Sequence, residues 1–322
     1  MRQRICKVPI PIAGVALGLA ALGNLLQSYS GYLRWVCGGV SALLMALLLL
    51  KIILFPDMIR KDYGNSILAS VSATIFMTVM QLAGYVRPLL GVAATAIWLA
   101  AIICHLTLIV WFTLHFIRNF RLEEVYPTYF IAYVGIVVAA VTAPTFDMAG
   151  LGTVIFWFGF SLYLVMLVLV TMRYRSIPVA PAAKPLFCIY AAPMSLSLAG
   201  YLSSVESKSV LFAVVLAVAA QILYIMVLTQ LPKLLKLPFY PSYAAFTFPF
   251  VITAFALKKL LAWLVVEGYT VPAVLNAVVL VETVFAAAMV TYVLARYLYY
   301  LFGGLLQRTS VPLKHVTCAE KA

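Results

Sequence analysis

Long apolar stretches alternate with short polar breaks along almost the whole chain. An α-helix needs roughly 20 mostly apolar residues to cross ~30 Å of hydrocarbon, because each residue adds ~1.5 Å to its length. The stretches reach this length, and the breaks carry turn residues and most of the charges. The pattern predicts an all-α integral membrane fold of ten transmembrane helices. The predicted spans are residues 9–28, 33–54, 66–86, 89–116, 128–146, 150–172, 185–203, 208–231, 241–264 and 272–302.

The spacing of these spans suggests an internal repeat. Odd-numbered spans begin near positions 9, 66, 128, 185 and 241, and a recurrence of this kind predicts five helical hairpins. Prolines fall within or at the ends of odd-numbered spans, at Pro11, Pro144, Pro193 and Pro249. Because proline removes a backbone hydrogen bond that hydrocarbon cannot replace, these spans belong inside the bundle. We therefore expect odd helices around a central pore, with even helices outside them.

Glycine and hydroxyl residues also concentrate in the odd-numbered spans, where they either line a pore or let helices pack closely. For any single residue we weigh the two interpretations equally, but a trait shared by five spans favours a common axis. The candidate pore-lining residues are Gly14, Gly18, Ser70, Thr74, Gly135, Thr142, Pro193, Ser197 and Thr253.

Composition agrees with a membrane location. Hydrophobic residues make up 66% of the chain and charged residues 10%, whereas about a quarter of the residues of a soluble domain are charged. The formal net charge is +13, but Lys and Arg lie in the short breaks and form no basic arm. We therefore expect the lipid bilayer as a partner, and no nucleic acid.

The distribution of positive charge predicts the orientation. Sixteen Lys and Arg residues fall on the side of the N-terminus, and five fall on the opposite side. Because positive loops stay in the cytoplasm, both ends of the chain are expected there. The prediction is a multi-pass protein of the plasma membrane, the inner membrane of a bacterium, with a cytoplasmic N-tail (1–8), a transmembrane domain (9–302) and a cytoplasmic C-tail (303–322).

Motifs of the common enzyme classes are absent from the sequence, which has no phosphate-binding loop, no Gly-x-Ser-x-Gly and no His-Glu-x-x-His. We expect no enzymatic activity, no catalytic residue and no cofactor. His105 and His115 share a span but lie ten residues apart, which argues against a metal site. Glu282 is the one carboxylate well inside a span, and both a packing role and a proton-coupling role stay open for it.

The charge pattern of the odd-numbered spans points to anions. Their middle parts carry almost no ionisable side chain, and the acidic rings of cation channels are missing. Lys258 and Lys259 lie near the predicted outer mouth. A neutral pore with basic residues at its mouth favours anions over cations.

Two segments carry a family resemblance. The first span reads Ile-Ala-Gly-Val-Ala-Leu-Gly over residues 12–18, and the ninth reads Ala-Phe-Thr-Phe-Pro-Phe-Val-Ile-Thr-Ala over residues 245–254. Together they resemble the tellurite-resistance/dicarboxylate transporter family, which includes bacterial TehA and the plant slow-type anion channels of guard cells. The sequence departs from that family at Ala244, where a tryptophan is frequent, and at Val15 or Ala16, where a proline is frequent.

The resemblance implies a homotrimer in which each protomer has its own pore, formed by the five odd helices. It also implies that a phenylalanine of the ninth helix closes the pore, and the matching residue is Phe248. Pro249, Thr247 and Phe246 are then expected to support this gate and to kink the helix.

The expected function is an anion channel, or a channel-like anion transporter, for small monovalent anions such as chloride and nitrate. The alternative is a proton-coupled transporter or exporter of C4-dicarboxylates such as malate, a role that the family also implies. A membrane enzyme is the least favoured interpretation. Nothing in the residues recognises tellurite chemically.

Overall fold

The computed structural model describes residues 5–303, and within them every regular element is helical. The main helices are α1 (Ile12–Leu26), α2 (Gly31–Leu54), α3 (Ser66–Leu90), α4 (Val92–Ile117), α5 (Thr128–Val134 and Val137–Phe146), α6 (Ala149–Ser176), α7 (Pro181–Ser204), α8 (Val210–Leu235), α9 (Pro241–Val266) and α10 (Ala273–Phe302). A short helix, Pro56–Asp62, connects α2 to α3. The predicted C-tail lies outside the described residues except for Gly303.

Eight of these helices are long and apolar enough to cross a membrane: α2, α3, α4 and α6 to α10. The two parts of α5 pass the same test together and meet at an angle of 52°. Helix α1 is apolar but has only 15 residues, which corresponds to about 22 Å at ~1.5 Å per residue. The prediction of an all-helical integral membrane protein is confirmed, with eight or nine full-length spans in the described part of the chain.

Burial divides the helices into two groups. In the most apolar segments of α3, α7 and α9, 72%, 89% and 56% of the residues are buried, against 33–39% in α2, α4, α6, α8 and α10. Almost all residues of α1 and α5 are buried as well. The exposed faces of the even-numbered helices are apolar, so that they suit contact with lipid.

The buried helices contact one another in a closed ring. Helix α1 contacts α3, α3 contacts α5, α5 contacts α7, α7 contacts α9, and α9 contacts α1. Each even-numbered helix packs against the odd-numbered helix that precedes it in the chain. The ring encloses the region in which the candidate site lies.

The odd-numbered helices are interrupted or begin close to this region. The last α-helical part of each starts at Ile12, Ala73, Val137, Ala192 or Phe248, a recurrence of roughly sixty residues that is typical of an internal repeat. Helices α7 and α9 open with 3₁₀ segments, Pro181–Ala191 and Pro241–Phe246.

The four prolines of the odd-numbered spans, Pro11, Pro144, Pro193 and Pro249, lie at the ends of helical segments and not in the interiors of α-helices. Pro193 and Pro249 lie in the first turn of an α-helical part, Pro11 caps α1, and Pro144 lies in the terminal 3₁₀ turn of α5. At a first turn the missing amide has no intrahelical partner to lose, so that proline is tolerated there.

Candidate functional site

A cavity of about 300 Å³ lies among the odd-numbered helices. All five contribute to its wall, for example through Gly14, Thr74, Gly135, Pro193 and Phe248. It extends from residues at the ends of the helices, where Asn65 and Ala182 are exposed, to the buried Phe248. The cavity is therefore formed by the N-terminal halves of the helices in the ring.

None of the described residues that line this cavity is ionisable. Its polar wall residues are Asn65, Thr74 and Ser242, and the remainder are aliphatic, aromatic, glycine, proline or methionine. The side chain of Asn65 accepts hydrogen bonds from the amides of Ile67 and Leu68 and so caps α3. The wall therefore offers little that could bind a large polar substrate tightly.

Helix α9 is broken at Thr247, next to the cavity. The backbone of Thr247 (φ −109°, ψ −87°) is not helical, and it separates the 3₁₀ segment from the α-helix that begins at Phe248. The fully buried Thr247 hydroxyl lies 2.7 Å from the carbonyl oxygen of Ala244 and 3.1 Å from that of Gly14. It therefore adds a second hydrogen bond to the carbonyl of Ala244, which also accepts from the Thr247 amide, and it connects α9 to α1.

Two glycines of α1 permit this contact. A Cβ added at Gly18 would lie 2.6 Å from the Thr247 Cβ and 3.1 Å from the Phe248 amide nitrogen. A Cβ added at Gly14 would lie 3.3 Å from the Cβ of Ala244. Gly14 is on the cavity wall, whereas Gly18 packs against the break itself. Helices α1 and α9 can approach each other this closely because Gly18 has no side chain.

The residues around Phe248 have different positions. Phe248 and Pro249 both line the cavity, and Phe248 is only 6% exposed. Phe246 is completely buried and packs against the Tyr243 ring, with the ring centroids 4.8 Å apart. It does not line the cavity. The structure therefore separates a wall pair, Phe248 and Pro249, from a packing residue, Phe246.

The hydroxyl candidates also separate into two groups. All five buried hydroxyl candidates donate to carbonyls of their own helices, at 2.6–2.9 Å. Thr74 lies on the cavity wall, whereas Ser70, Ser197, Thr253 and Thr142 do not. Thr142 also accepts a hydrogen bond from the indole of Trp98. Together with Gly18, these four candidates lie away from the cavity wall. The wall candidates are Gly14, Thr74, Gly135 and Pro193.

Lys258 and Lys259 lie on α9, ten and eleven residues after Phe248, which is about 15 Å along the helix. Lys258 donates to the carbonyl of Leu25 and to the hydroxyl of Ser28, at the end of α1. Lys259 donates to the hydroxyl of Ser203, 2.7 Å away, at the end of α7. In the described residues neither forms an ion pair with a carboxylate. Both charges therefore lie at helix C-termini, where cations are stabilised.

A buried lysine fixes the segment that precedes α1. Lys51 of α2 is 4% exposed and donates to the carbonyl of Val8 at 2.7 Å, and its Nζ lies 3.8 Å from a carboxylate oxygen of Asp62. Burial raises the pKa of Asp62, and the charge of Lys51 opposes this shift. The hydrogen bond from Lys51 to Val8 fixes the chain just before Pro11, which lines the cavity. Nothing in the sequence indicated this contact, because its partners are far apart along the chain.

Comparison with known proteins gives one family. The family model described as SLAC1, voltage-dependent anion channel, matches residues 7–298, which is most of the chain. A comparison with individual curated proteins gives no significant match. The resemblance inferred from the two sequence segments is therefore confirmed. The chain is an integral membrane protein that belongs to the SLAC1 family of anion channels and transporters, a family of transport proteins and not of enzymes.

Proposed function

We propose that this protein conducts small monovalent anions, chloride and nitrate among them, through a pore within each protomer that Phe248 closes. One observation carries the proposal: a cavity walled by all five odd-numbered helices ends at the buried Phe248, and none of its described wall residues is ionisable. Anions would enter this cavity, pass Phe248 when its ring moves aside, and leave near Lys258 and Lys259.

The proposed architecture has ten spans arranged as five hairpins, with α1 and the bent α5 counted as spans. The closed ring of contacts and the greater burial of the odd-numbered helices support an inner pore wall. A short α1 can still cross, because a bilayer adapts to a short hydrophobic segment at modest energetic cost. By the positive-inside rule, the cavity opens to the cytoplasm and Lys258 lies at the outer side.

The proposed setting is the inner membrane of a bacterium, with both tails cytoplasmic and three copies of the chain in a homotrimer. The family resemblance supports the homotrimer, and the distribution of Lys and Arg supports the orientation. In this arrangement each protomer conducts separately, because the cavity lies within one chain and not between chains.

Helix dipoles support the choice of an anion. The last α-helical parts of α1, α3, α7 and α9 have between 13 and 19 residues, and their N-terminal ends lie at the cavity. The positive ends of these dipoles favour negative charge, each by about 0.3–1 kcal/mol at exposed sites. At the opposite ends, Lys258 and Lys259 offset the negative ends of α1 and α7. Both the cavity and the opposite end of the path, near Lys258 and Lys259, would then favour an anion over a cation.

An aromatic ring that closes the pore suits a channel whose wall binds anions weakly. The ring of a buried phenylalanine excludes both water and hydrated ions from a narrow pore, and a hydrophobic constriction opens when the ring rotates away. With few polar wall groups, selectivity would follow the free energy of removing water from each anion. Anions that hold water weakly, such as nitrate, would pass more easily than chloride.

The alternative, a proton-coupled carrier of C4-dicarboxylates, has less support. Such a carrier needs a titratable group and a cationic clamp for two carboxylates on the transport path. Among the described wall residues neither is present. Glu282 is buried on α10 and does not line the cavity. We therefore retain the channel as the proposed function.

The test is anion flux in proteoliposomes for the wild type and Phe248→Ala. We expect chloride and nitrate flux to rise about tenfold or more in the variant, without dependence on a pH gradient. Phe250→Ala is the matched control, because Phe250 is also buried on α9 but packs against Phe285 and Tyr224, with ring centroids 5.2 and 6.0 Å away. An equal effect of both substitutions, or none of either, would contradict the gate. Flux that requires a proton gradient would favour the carrier.

A further inference from the structure

Helix α5 is broken beside the cavity without a proline. Its first part ends at Val134, Gly135 and Ile136 form a turn, and the second part starts at Val137. The Gly135 amide donates to the carbonyls of Phe130 and Ile131. None of the described backbone hydrogen bonds around this break ends on the carbonyl of Ala132. In hydrocarbon such a carbonyl needs another donor.

The donor comes from the outer helix α4. The Nε2 atom of His105 lies 2.9 Å from the carbonyl oxygen of Ala132, and His105 is completely buried. Because a carbonyl oxygen can only accept, Nε2 must carry the hydrogen. The ring also packs behind the cavity wall, since a Cβ added at Gly135 would lie 3.2 Å from the His105 Cε1. His105 therefore contacts both the freed carbonyl and the wall residue.

In the other interrupted helices, a hydroxyl side chain of the same helix donates a hydrogen bond to a carbonyl oxygen at the break. The Ser72 hydroxyl donates to the Ala69 carbonyl, that of Ser195 to Ala191, and that of Thr247 to Ala244, at 2.6–2.9 Å. Between residues 129 and 141, α5 contains no Ser or Thr. A side chain from another helix must therefore take the place of the missing hydroxyl.

We infer that His105 is a positioning residue of the pore, which holds the bend of α5 so that the bare backbone of Gly135 forms the wall. This inference rests on the proposed function. Loss of the imidazole removes both the hydrogen bond to Ala132 and the support behind Gly135. The cavity wall at Gly135 can then move outward. The permeability of larger, weakly hydrated anions rises relative to that of chloride.

The selectivity test uses the open Phe248→Ala protein in proteoliposomes, with iodide and chloride as probe anions. Adding His105→Leu should raise the iodide-to-chloride permeability ratio about threefold. Adding His105→Gln should restore the original ratio, because the Gln amide can donate at a position like that of Nε2. His115→Leu is the control on the same helix, since His115 is exposed and stacks on Trp111. Equal ratios for Leu and Gln at position 105 overturn the inference.

A second measurement does not depend on conduction. Hydrogen exchange of the peptide covering residues 128–142 should be faster in His105→Leu than in the wild type or His115→Leu. If His105→Leu does not fold, His105→Asn replaces it, because its amide is one methylene too short to reach Ala132. Unchanged hydrogen exchange in His105→Leu would overturn only the role of His105. Absence of anion flux in Phe248→Ala would overturn the proposed function.

Discussion

Gly18 of α1 and Thr247 of α9 are in direct contact, so close that a Cβ added at Gly18 would lie 2.6 Å from the Thr247 Cβ. The contact lies immediately before Phe248, at the break in α9. It joins the first and ninth helices of the chain, which are the two that carry the family resemblance. The position of Phe248 therefore depends on two segments that lie more than two hundred residues apart.

Gly18→Ala should destabilise the protein by about 1–3 kcal/mol, because the added methyl group overlaps Thr247 and the backbone of Phe248. Thermal unfolding in detergent measures this as a lower Tm. Gly39→Ala on α2 is the control, because nothing lies within 4 Å of a Cβ added there. That substitution should leave the Tm unchanged or raise it, since alanine favours a helix over glycine. Equal Tm values for Gly18→Ala and the wild type would refute the close contact.

Thr247→Val should lower the Tm, and Thr247→Ser should not. Valine keeps the shape of the side chain but removes the hydrogen bond from the hydroxyl to the carbonyl of Ala244, a loss of about 0.5–1.5 kcal/mol. Serine retains the donor. Thermal unfolding of the two variants separates the hydrogen bond from simple packing. A loss of stability in Thr247→Ser as large as in Thr247→Val would assign the effect to the methyl group instead.

Thr74→Ala should change the chloride flux of the open Phe248→Ala protein about twofold or more, because Thr74 lies on the cavity wall. Ser197→Ala should leave it unchanged, since the Ser197 hydroxyl is likewise buried and bonded to a carbonyl of its own helix but does not line the cavity. Flux in proteoliposomes compares the two variants directly. If Ser197→Ala has the larger effect, the conducting path does not follow the cavity that Thr74 lines.

Lys259→Met should reduce chloride flux through Phe248→Ala by roughly twofold to fivefold at low ionic strength, and by much less at 1 M salt, where charges are screened within ~3 Å. Lys259→Arg retains the charge and should keep the flux. Measuring both variants across a salt series separates attraction of anions from a change in packing. A reduction that is independent of salt would mean that Lys259 acts only by holding the end of α7 through Ser203.

The residues of the candidate site differ in how well the sequence could predict them. Phe248 is predictable from the sequence because it precedes Pro249 in a segment with a family resemblance, and both residues line the cavity. Thr74 and Thr142 are alike in sequence, since each is a hydroxyl residue in an odd-numbered span. Only Thr74 lines the cavity, whereas Thr142 bonds to Trp98. Which face of a helix points inward depends on its rotation against its neighbours, and an almost uniformly apolar span does not reveal it.

The sequence by itself determined that the chain is an all-helical membrane protein and which family it belongs to. Those properties follow from local features, the length of apolar runs and two short segments, because hydrocarbon permits few folds for such a chain. The tertiary structure decided where the cavity lies and which residues support it. The contacts of Gly18 with Thr247 and of His105 with Ala132 join different helices. They exist only when the ring of helices is packed, because a carbonyl freed by a helix break takes its donor from whichever neighbour packing brings close.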